Sequence, residues 1–153
     1  MSSIRELDII DESNNAVAKL PLLAALVALV GLADAIYLTI HHFTAEAVPC
    51  GEGFDCGAVL NSEYGEIGGV PLAVFGAAAY FTAFSLAILT AFGNRSLWTL
   101  FGGQVSLMLI FTAWLVYLQA FVIEAFCQFC LLSAAVTLGL FTIYLVSKLP
   151  RFR

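Results

Sequence analysis

The sequence predicts an all-α integral membrane protein, a four-helix bundle with a long extracytoplasmic loop between helices 1 and 2. Apolar residues make up 61% of the 153-residue chain and charged residues 11%. A soluble domain carries roughly 45–50% apolar and about 25% charged residues, so this chain has too little polar surface to fold in water. It also contains four apolar runs, each long enough to cross a bilayer, which takes about 20 residues.

The predicted spans follow from the uninterrupted length of these runs. Backbone groups in lipid must be paired within the segment, which favours helices, whereas a barrel would show alternating segments of about ten residues. A chain of this length is expected to form a single domain, which we assign to residues 1–153. The spans are predicted at residues 20–40, 70–92, 97–123 and 126–146, and the long loop at residues 43–69.

The basic residues predict the orientation. All six fall on one side if the helices alternate, whereas connections 43–69 and 124–125 contain no Lys or Arg. By the positive-inside rule, both termini are then cytoplasmic and the long loop faces the extracytoplasmic side of the cell membrane. A net charge of −5 without a basic stripe excludes nucleic-acid binding. The basic residues are Arg5, Lys19, Arg95, Lys148, Arg151 and Arg153.

Four cysteines form two pairs on the predicted extracytoplasmic side, where disulfides persist. Cys50 and Cys56 lie in the long loop, and Cys127 and Cys130 lie at the start of the fourth helix. As structural staples, both pairs would close rings of about seven residues or fewer, where the stabilisation is smallest. Thiol exchange explains the spacing better, because residues three apart share a helix face and free N–H groups at a helix start favour the thiolate.

A metal or haem site is a weaker interpretation of the same residues. Cys-x5-Cys with Cys-x2-Cys is not a usual zinc spacing, and an oxidising compartment favours disulfides over metal binding. The adjacent His41 and His42 cannot bind one haem iron from opposite faces, so we interpret them as interfacial residues that end the first helix. We therefore predict no metal.

Two cysteine pairs that exchange disulfides need an electron acceptor. The sequence has no Gly-x-Gly-x-x-Gly motif after a strand and no haem ligation pattern, so a tightly bound cofactor is not indicated. An acceptor dissolved in the bilayer is the simplest choice, and a quinone of the ubiquinone or menaquinone type fits this description. Phe126, Phe129 and Tyr80 are candidates to line an apolar slot for it.

Several motifs around the cysteines resemble the vitamin K epoxide reductase family and its prokaryotic homologues. They are Cys50-x5-Cys56-x5-Ser62, residues 70–76 (Val-Pro-Leu-Ala-Val-Phe-Gly) and Cys127-Gln128-Phe129-Cys130. Residues 34–39 (Asp-Ala-Ile-Tyr-Leu-Thr) are also similar to prokaryotic members. The resemblance extends from Leu20 to Val146, which is nearly the whole chain.

The resemblance implies a bundle around a quinone, with the loop of Cys50 and Cys56 across its mouth. It also implies that Cys50 exchanges with a thioredoxin-like partner, Cys56 exchanges with Cys127, and Cys130 reacts with the quinone. Ser62 matches the family's loop serine, either as a hydrogen-bonding group near the site or as a turn or cap beside Asn61. The predicted quinone contacts are Cys130, Phe126, Phe129, Phe75 and Tyr80.

The function implied by the resemblance is that of a membrane dithiol:quinone oxidoreductase that supports disulfide formation in exported proteins. Many bacterial homologues carry a fused thioredoxin-like domain, but this chain ends at Arg153, so we expect a separate extracytoplasmic partner. The membrane quinone pool would take the electrons. Leu72 and Ala134 stand where vertebrate epoxide reductases have Asn and Tyr, so the sequence does not favour epoxide reduction.

Two further hypotheses remain open at the level of sequence. The disulfide-bond enzyme of the DsbB type is also a four-helix quinone reductase, but its Cys-x-x-Cys lies in the first outer loop, the reverse of the order here. A non-catalytic membrane subunit with two structural disulfides would carry the same cysteines.

Asp34 is an acidic residue inside the first predicted span. A central ionised Asp costs roughly 2.5–3.5 kcal/mol on insertion scales, and such residues are often functional. A hydrogen bond within the bundle or contact with interfacial water is the alternative to proton handling. Glu124, which precedes Cys127, is interpreted as a rim charge.

Overall fold

The chain folds into long helices joined by one elaborate connection and two short ones. In a computed structural model, residues 1–149 are described, and for residues 10–14 and 16–18 only the backbone is described. The elements are α1 (Ser2–Thr44), α2 (Cys56–Leu60), β1 (Glu66–Ile67), β2 (Val70–Pro71), α3 (Leu72–Ala91), α4 (Leu97–Phe121) and α5 (Gln128–Lys148).

Four helical segments are long and apolar enough to cross a membrane. They are Lys19–Thr44 within α1, and the whole of α3, α4 and α5. Helix α1 packs against α3 and α5, and α4 packs against the same two helices, so the four segments form a closed ring. The predicted all-α membrane four-helix bundle is confirmed. The predicted spans differ from these segments by no more than four residues at either end.

Small residues let the helices approach closely in the core. Ala24 and Ala28 of α1 and Ala83 and Ala87 of α3 are all completely buried. Alanine at such positions brings backbones together in membrane bundles, where dispersion contacts rather than the hydrophobic effect hold helices to one another.

Large apolar side chains point outward from the same helices. Leu107 and Ile110 of α4 are 67% and 70% exposed. A soluble protein rarely exposes contiguous apolar surface on this scale, whereas a bilayer solvates it. The outward face of α4 therefore suits lipid.

The connection between α1 and α3 contains the short helix α2 and a tight hairpin. The two strands of the hairpin pair antiparallel, with Ile67 opposite Val70. Gly68 and Gly69 link them with positive φ angles of 61° and 82°. Two successive residues with positive φ are what a two-residue hairpin turn requires, and glycine adopts this geometry without strain.

The two ends of the bundle differ in composition. Because the helices alternate in direction, the end of α1 and the start of α5 meet at one end, which we call the cysteine end. The same alternation brings three basic residues to the opposite end of the bundle: Lys19, Arg95 and Lys148. Arg151 and Arg153, which the orientation prediction also counts, lie outside the described residues.

Candidate functional site

The loop pair is joined as a disulfide. The Cα atoms of Cys50 and Cys56 lie 6.1 Å apart. Cys56 is the first residue of α2 and is buried, whereas Cys50 is half-buried in irregular chain. Asp55 caps α2, because its Oδ1 accepts a hydrogen bond of 2.9 Å from the backbone N–H of Ala58. This cap fixes the start of the helix from which Cys56 projects.

The second pair occupies the start of α5, and neither of its sulfurs is in a disulfide. Cys127 is the N-cap residue, and its Sγ accepts a hydrogen bond of 3.4 Å from the backbone N–H of Cys130. Hydrogen bonds from the Cys130 thiol and from the backbone N–H groups of Cys130 and Phe129 lower the pKa of Cys127 to about 7, against the opposing effect of burial. Cys127 precedes the spanning segment of α5, and its lowered pKa favours the thiolate near neutral pH.

All four cysteines belong to one apolar cluster at the cysteine end. Cys56, Val59 and Cys127 form its buried centre. Cys50 and Cys130 pack against that centre, together with Val48, Leu60, Ile123, Ala125 and Phe129. The structure therefore brings the two pairs together, although they are far apart in sequence.

Three hydrogen bonds hold the loop and the α4–α5 connection in place. The backbone N–H of Asp55 donates to the carbonyl of Phe126 at 2.9 Å. The backbone N–H of Gly51 donates to Oε1 of Gln128 at 3.0 Å. The backbone N–H of Cys127 donates to Oε1 of Gln119 at 3.1 Å.

Gln119 and Gln128 were not singled out by sequence reasoning. Gln119 is only 3% exposed and lies two residues before the end of a largely apolar helix. Burying an amide at that depth costs free energy unless the amide is hydrogen-bonded. A glutamine inside a predicted span therefore indicates a hydrogen-bonding role, which the sequence alone could have suggested. Gln128 had a weaker signal, because it lies at a helix start where polar residues are common.

A cavity of about 990 Å³ lies inside the bundle beneath the cysteine cluster. Of the predicted site residues, Cys130, Tyr80, Phe75 and Ser62 line it. All four spanning segments contribute to its wall, which is mostly apolar. Ligand pockets of roughly 300–1,000 Å³ suffice for drug-sized molecules, so a quinone ring with part of its tail fits this space.

Phe126 and Phe129 occupy other positions. Phe126 is 41% exposed and contributes its carbonyl to the bond with Asp55. Phe129 packs in the cysteine cluster, with its ring centroid 5.2 Å from that of Tyr37. Neither residue is part of the cavity lining, so their contact with quinone stays a prediction.

Tyr80 joins α3 to α5 through its hydroxyl group. The oxygen lies 2.7 Å from the Ser133 hydroxyl and 2.9 Å from the Thr137 hydroxyl, and it donates to the Ser133 carbonyl at 2.8 Å. The ring is only 2% exposed and packs on Gly31 of α1, where an added Cβ would clash with it. Tyr80 is therefore a fixed part of the wall.

Ser62 and Asp34 line the cavity at different depths. The Ser62 hydroxyl donates to the carbonyl of Val59 at 2.7 Å, which closes the turn after α2. Asp34 lies deeper, in the middle of the spanning part of α1, and is 8% exposed. Its Oδ2 is buried without a hydrogen-bond partner among the described residues.

Two histidine–carboxylate pairs lie at the rim. Nε2 of His42 is 3.3 Å from Glu66 of the hairpin, and Nδ1 of His41 is 3.9 Å from Glu46. Among the side chains that the structure describes, in residues 1–9, 15 and 19–149, no group of three or more His, Cys, Asp or Glu is arranged to hold a metal ion.

One comparison with known proteins identifies a family. The sequence model of the vitamin K epoxide reductase family matches residues 22–145 of the chain. The matched stretch contains all four cysteines, the whole of α3 and α4, and most of the other two spanning segments. It covers well over half of the 153 residues.

Proposed function

Because the chain belongs to the vitamin K epoxide reductase family, we propose that it is a membrane dithiol:quinone oxidoreductase. Membership makes it a multi-pass membrane protein whose general chemistry is thiol–disulfide exchange and quinone reduction. The proposal specifies the route: electrons pass from a thioredoxin-like protein to Cys50 and Cys56, then to Cys127 and Cys130, and finally to a quinone.

One observation supports this route above the others. All four cysteines lie in one apolar cluster, and of the four only Cys130 also lines the cavity below it. A relay needs one sulfur that reaches the acceptor and neighbouring sulfurs that can exchange bonds. The arrangement meets both needs, and Cys50 is half-buried between the exposed residues Pro49 and Gly51.

The first exchange takes place at the loop disulfide. A thiolate of the reduced partner attacks Cys50, which breaks its bond to Cys56 and forms a mixed disulfide. The second partner thiol then attacks the partner's own sulfur in that bond. The partner leaves as a disulfide, and Cys50 and Cys56 are left as two thiols that hold the two electrons.

The second exchange moves the electrons inward. Cys56 attacks Cys127 of the Cys127–Cys130 disulfide and releases Cys130 as a thiolate. Cys50 then attacks Cys56, which restores the loop disulfide and releases Cys127. The lowered pKa of Cys127 helps this step, because a more acidic thiol leaves a disulfide faster.

In the proposed cycle, a loop disulfide together with two inner thiols is the state that follows the second exchange. The loop pair is a disulfide and the inner pair is two thiols, so the electrons are beside the cavity. Cys127 and Cys130 then form their own disulfide as they reduce the quinone substrate to a quinol. Ser62 is proposed to support the exchange by closing the turn after α2, which positions Cys56.

The orientation and partner are part of the same proposal. The described basic residues at the end opposite the cysteines support a cytoplasmic position for that end under the positive-inside rule. The cysteine end then faces the extracytoplasmic space, where a separate thioredoxin-like protein that oxidises exported proteins would meet Cys50. Labelling of intact cells with a membrane-impermeant maleimide tests the sidedness in a Cys56→Ser variant, in which Cys50 is freed from its disulfide.

The decisive experiment is anaerobic quinone reduction by the purified protein with a reduced thioredoxin-like donor. We expect the wild type to convert ubiquinone or menaquinone analogues to quinol, and the Cys130→Ala variant to lose at least about 10³-fold in rate. A Cys130→Ala variant that still reduced quinone at the wild-type rate would overturn the route. Inert disulfides in both pairs of the wild type would instead indicate a non-catalytic subunit.

A further inference from the structure

Asp34 is a buried acid on the wall of the same cavity as Cys130. It lies ten residues before the end of α1, which places it about 15 Å along the helix from the cysteine end. Cys130, in contrast, lies in the first turn of α5. The two residues therefore face the cavity from different depths.

The other buried polar groups near Asp34 already have partners. The hydroxyl of Tyr80 on α3 hydrogen-bonds to the hydroxyls of Ser133 and Thr137 on α5. Gln119 accepts from the backbone of Cys127. In the described part of the chain, only Asp34 Oδ2 and His41 Nδ1 are buried side-chain atoms without a hydrogen bond. His41 lies at the rim beside Glu46, so Asp34 is the unpartnered group inside the bundle.

The surroundings of Asp34 favour its neutral form. No Lys or Arg is present in the cavity lining, and the described Lys19, Arg95 and Lys148 belong to the other end of the bundle. An ionised carboxylate at this depth would lack both water and a cation, which makes the charged form costly. A carboxylic acid with a free oxygen can instead donate its proton to a ligand in the cavity.

We propose that Asp34 is a catalytic acid that delivers a proton to the quinone substrate when Cys127 and Cys130 reduce it. The inference rests on the proposed function and adds the proton source for the same site. Asp34 would contact the quinone oxygen that points away from the cysteines, while Cys130 serves the oxygen nearer to it.

The proton balance explains why such an acid is needed. Reduction of a quinone to a quinol takes two electrons and two protons. When Cys127 reacts as the thiolate, it and the Cys130 thiol supply two electrons as the S–S bond forms, but only one proton, from Cys130. Asp34 supplies the second and becomes a carboxylate. It regains a proton between turnovers from water at the cavity mouth, where Cys127 released its own proton.

The test compares Asp34→Asn with the wild type in anaerobic steady-state turnover with the reduced donor. Asparagine has the same shape and can still donate a hydrogen bond, but it cannot transfer a proton. We expect kcat for quinone reduction to fall about 10²-fold, within the usual range for loss of a general acid, with KM changed less than about threefold. Alkylation and mass analysis should show that Cys127 and Cys130 remain thiols while quinone is bound.

Two further variants separate proton delivery from a structural role. Asp34→Glu keeps the acid and should recover at least about tenfold of the activity lost in Asp34→Asn. Thr39→Val, on the same helix, removes only a hydroxyl bonded to the Ala35 carbonyl and should reduce quinone like the wild type. Normal kcat in Asp34→Asn, a change in KM alone, or a Glu variant no better than Asn would each overturn the inference.

The outcome also separates this inference from the proposed function. A wild type that does not reduce quinone, or a Cys130→Ala variant that does, contradicts the relay itself. A wild type that turns over together with a fully active Asp34→Asn variant contradicts only the role of Asp34.

Discussion

The two cysteine pairs are held in opposite ways. Cys50 lies in irregular chain and Cys56 opens a helix of five residues, whereas Cys127 and Cys130 belong to the start of a helix of 21 residues. Neighbours of the loop pair, such as Phe54 at 40% exposure, reach the surface, whereas Cys127 is completely buried. From this difference we expect Cys50 to be the more mobile end of the proposed relay and the inner pair to stay fixed at the cavity.

The bonds that hold each pair agree with this difference. The loop is held to the α4–α5 connection by two backbone donors, those of Gly51 and Asp55. These bonds lie near water, so their loss costs little and the loop can open locally. The inner pair is held by a buried bond from Cys127 to Gln119 and by the packing of α5 itself. Opening that part would expose buried polar groups.

The largest expected effect concerns the bond between the two pairs. Removing both resolving thiols in a Cys50→Ser, Cys130→Ser double variant leaves Cys56 and Cys127, which lie in the same buried cluster. We expect mild oxidation to join them in most molecules, because no third thiol can release the bond. Mass mapping of peptides measures the yield.

The matched control is the Cys50→Ser, Cys127→Ser double variant, which leaves Cys56 and Cys130. Its yield should be much lower, because Cys130 is assigned to the quinone and not to exchange with the loop. Equal yields in the two variants would contradict the assignment of Cys127 to exchange with the loop and of Cys130 to the quinone. No disulfide in either variant would show that the two cysteine pairs do not exchange with each other.

The second effect is the pH dependence of the inner pair. With the loop disulfide intact, the thiolate absorbance of the protein should rise with pH and reach half its first step at about pH 7, the pKa of Cys127. The hydrogen bond from the Cys130 thiol is the largest cause of that low pKa, so Cys130→Ala should move the midpoint upward. An unchanged titration midpoint in Cys130→Ala would show that the Cys130 thiol is not the cause of the low pKa of Cys127.

The lowered pKa of Cys127 also makes the stability of the folded protein depend on pH. A pKa lowered in the folded state favours the folded protein at pH values above about 7, and that contribution is lost as the pH falls through the folded value. In the reverse direction of the relay, Cys127 attacks Cys56 of the loop disulfide, and the rate of this attack should rise as the pH increases through about 7, because the thiolate fraction rises there, and level off at higher pH.

Much of this arrangement could be predicted from the sequence. Run length gives four spans in the right places, and their alternation brings residue 50 and residue 127 to the same end of the bundle. A Cys-x-x-Cys at a helix start predicts a shared face, which the bond from the Cys130 backbone to Cys127 Sγ reflects. These inferences depend on chain length and helix period alone.

The polar contacts could not be predicted in the same way. The bond from Gly51 to Gln128 spans 77 positions, and no local rule chooses Gln128 over other polar residues at that end. The sequence shows that burying an ionised Asp34 is costly. Only the packing of the helices shows that Tyr80 hydrogen-bonds to Ser133 and Thr137. Asp34 Oδ2 is left without a partner among the described residues. Which polar side chains hydrogen-bond in a bundle depends on the rotation of each helix about its own axis. The length of an apolar run does not define that rotation.

The third effect compares the two glutamine anchors. Gln119→Leu leaves the buried N–H of Cys127 without its acceptor, which should cost about 1–3 kcal/mol and lower the thermal midpoint in detergent. Gln128→Leu removes a bond near the surface and should cost less than about 1 kcal/mol. Equal losses would show that the loop is held as firmly as the inner pair.

The smallest effect concerns the ion pair between the hairpin and α1. His42 and Glu66 are both partly exposed, at 28% and 45% of their side chains, and exposed pairs contribute only about 0–1 kcal/mol. Glu66→Gln should therefore leave the thermal midpoint and the rate of exchange with the partner nearly unchanged. Glu63→Gln, which changes the same charge in a residue without an assigned ion pair, is the control. A large change specific to Glu66→Gln would mean that the pair latches the hairpin, and that the loop moves only when this contact breaks.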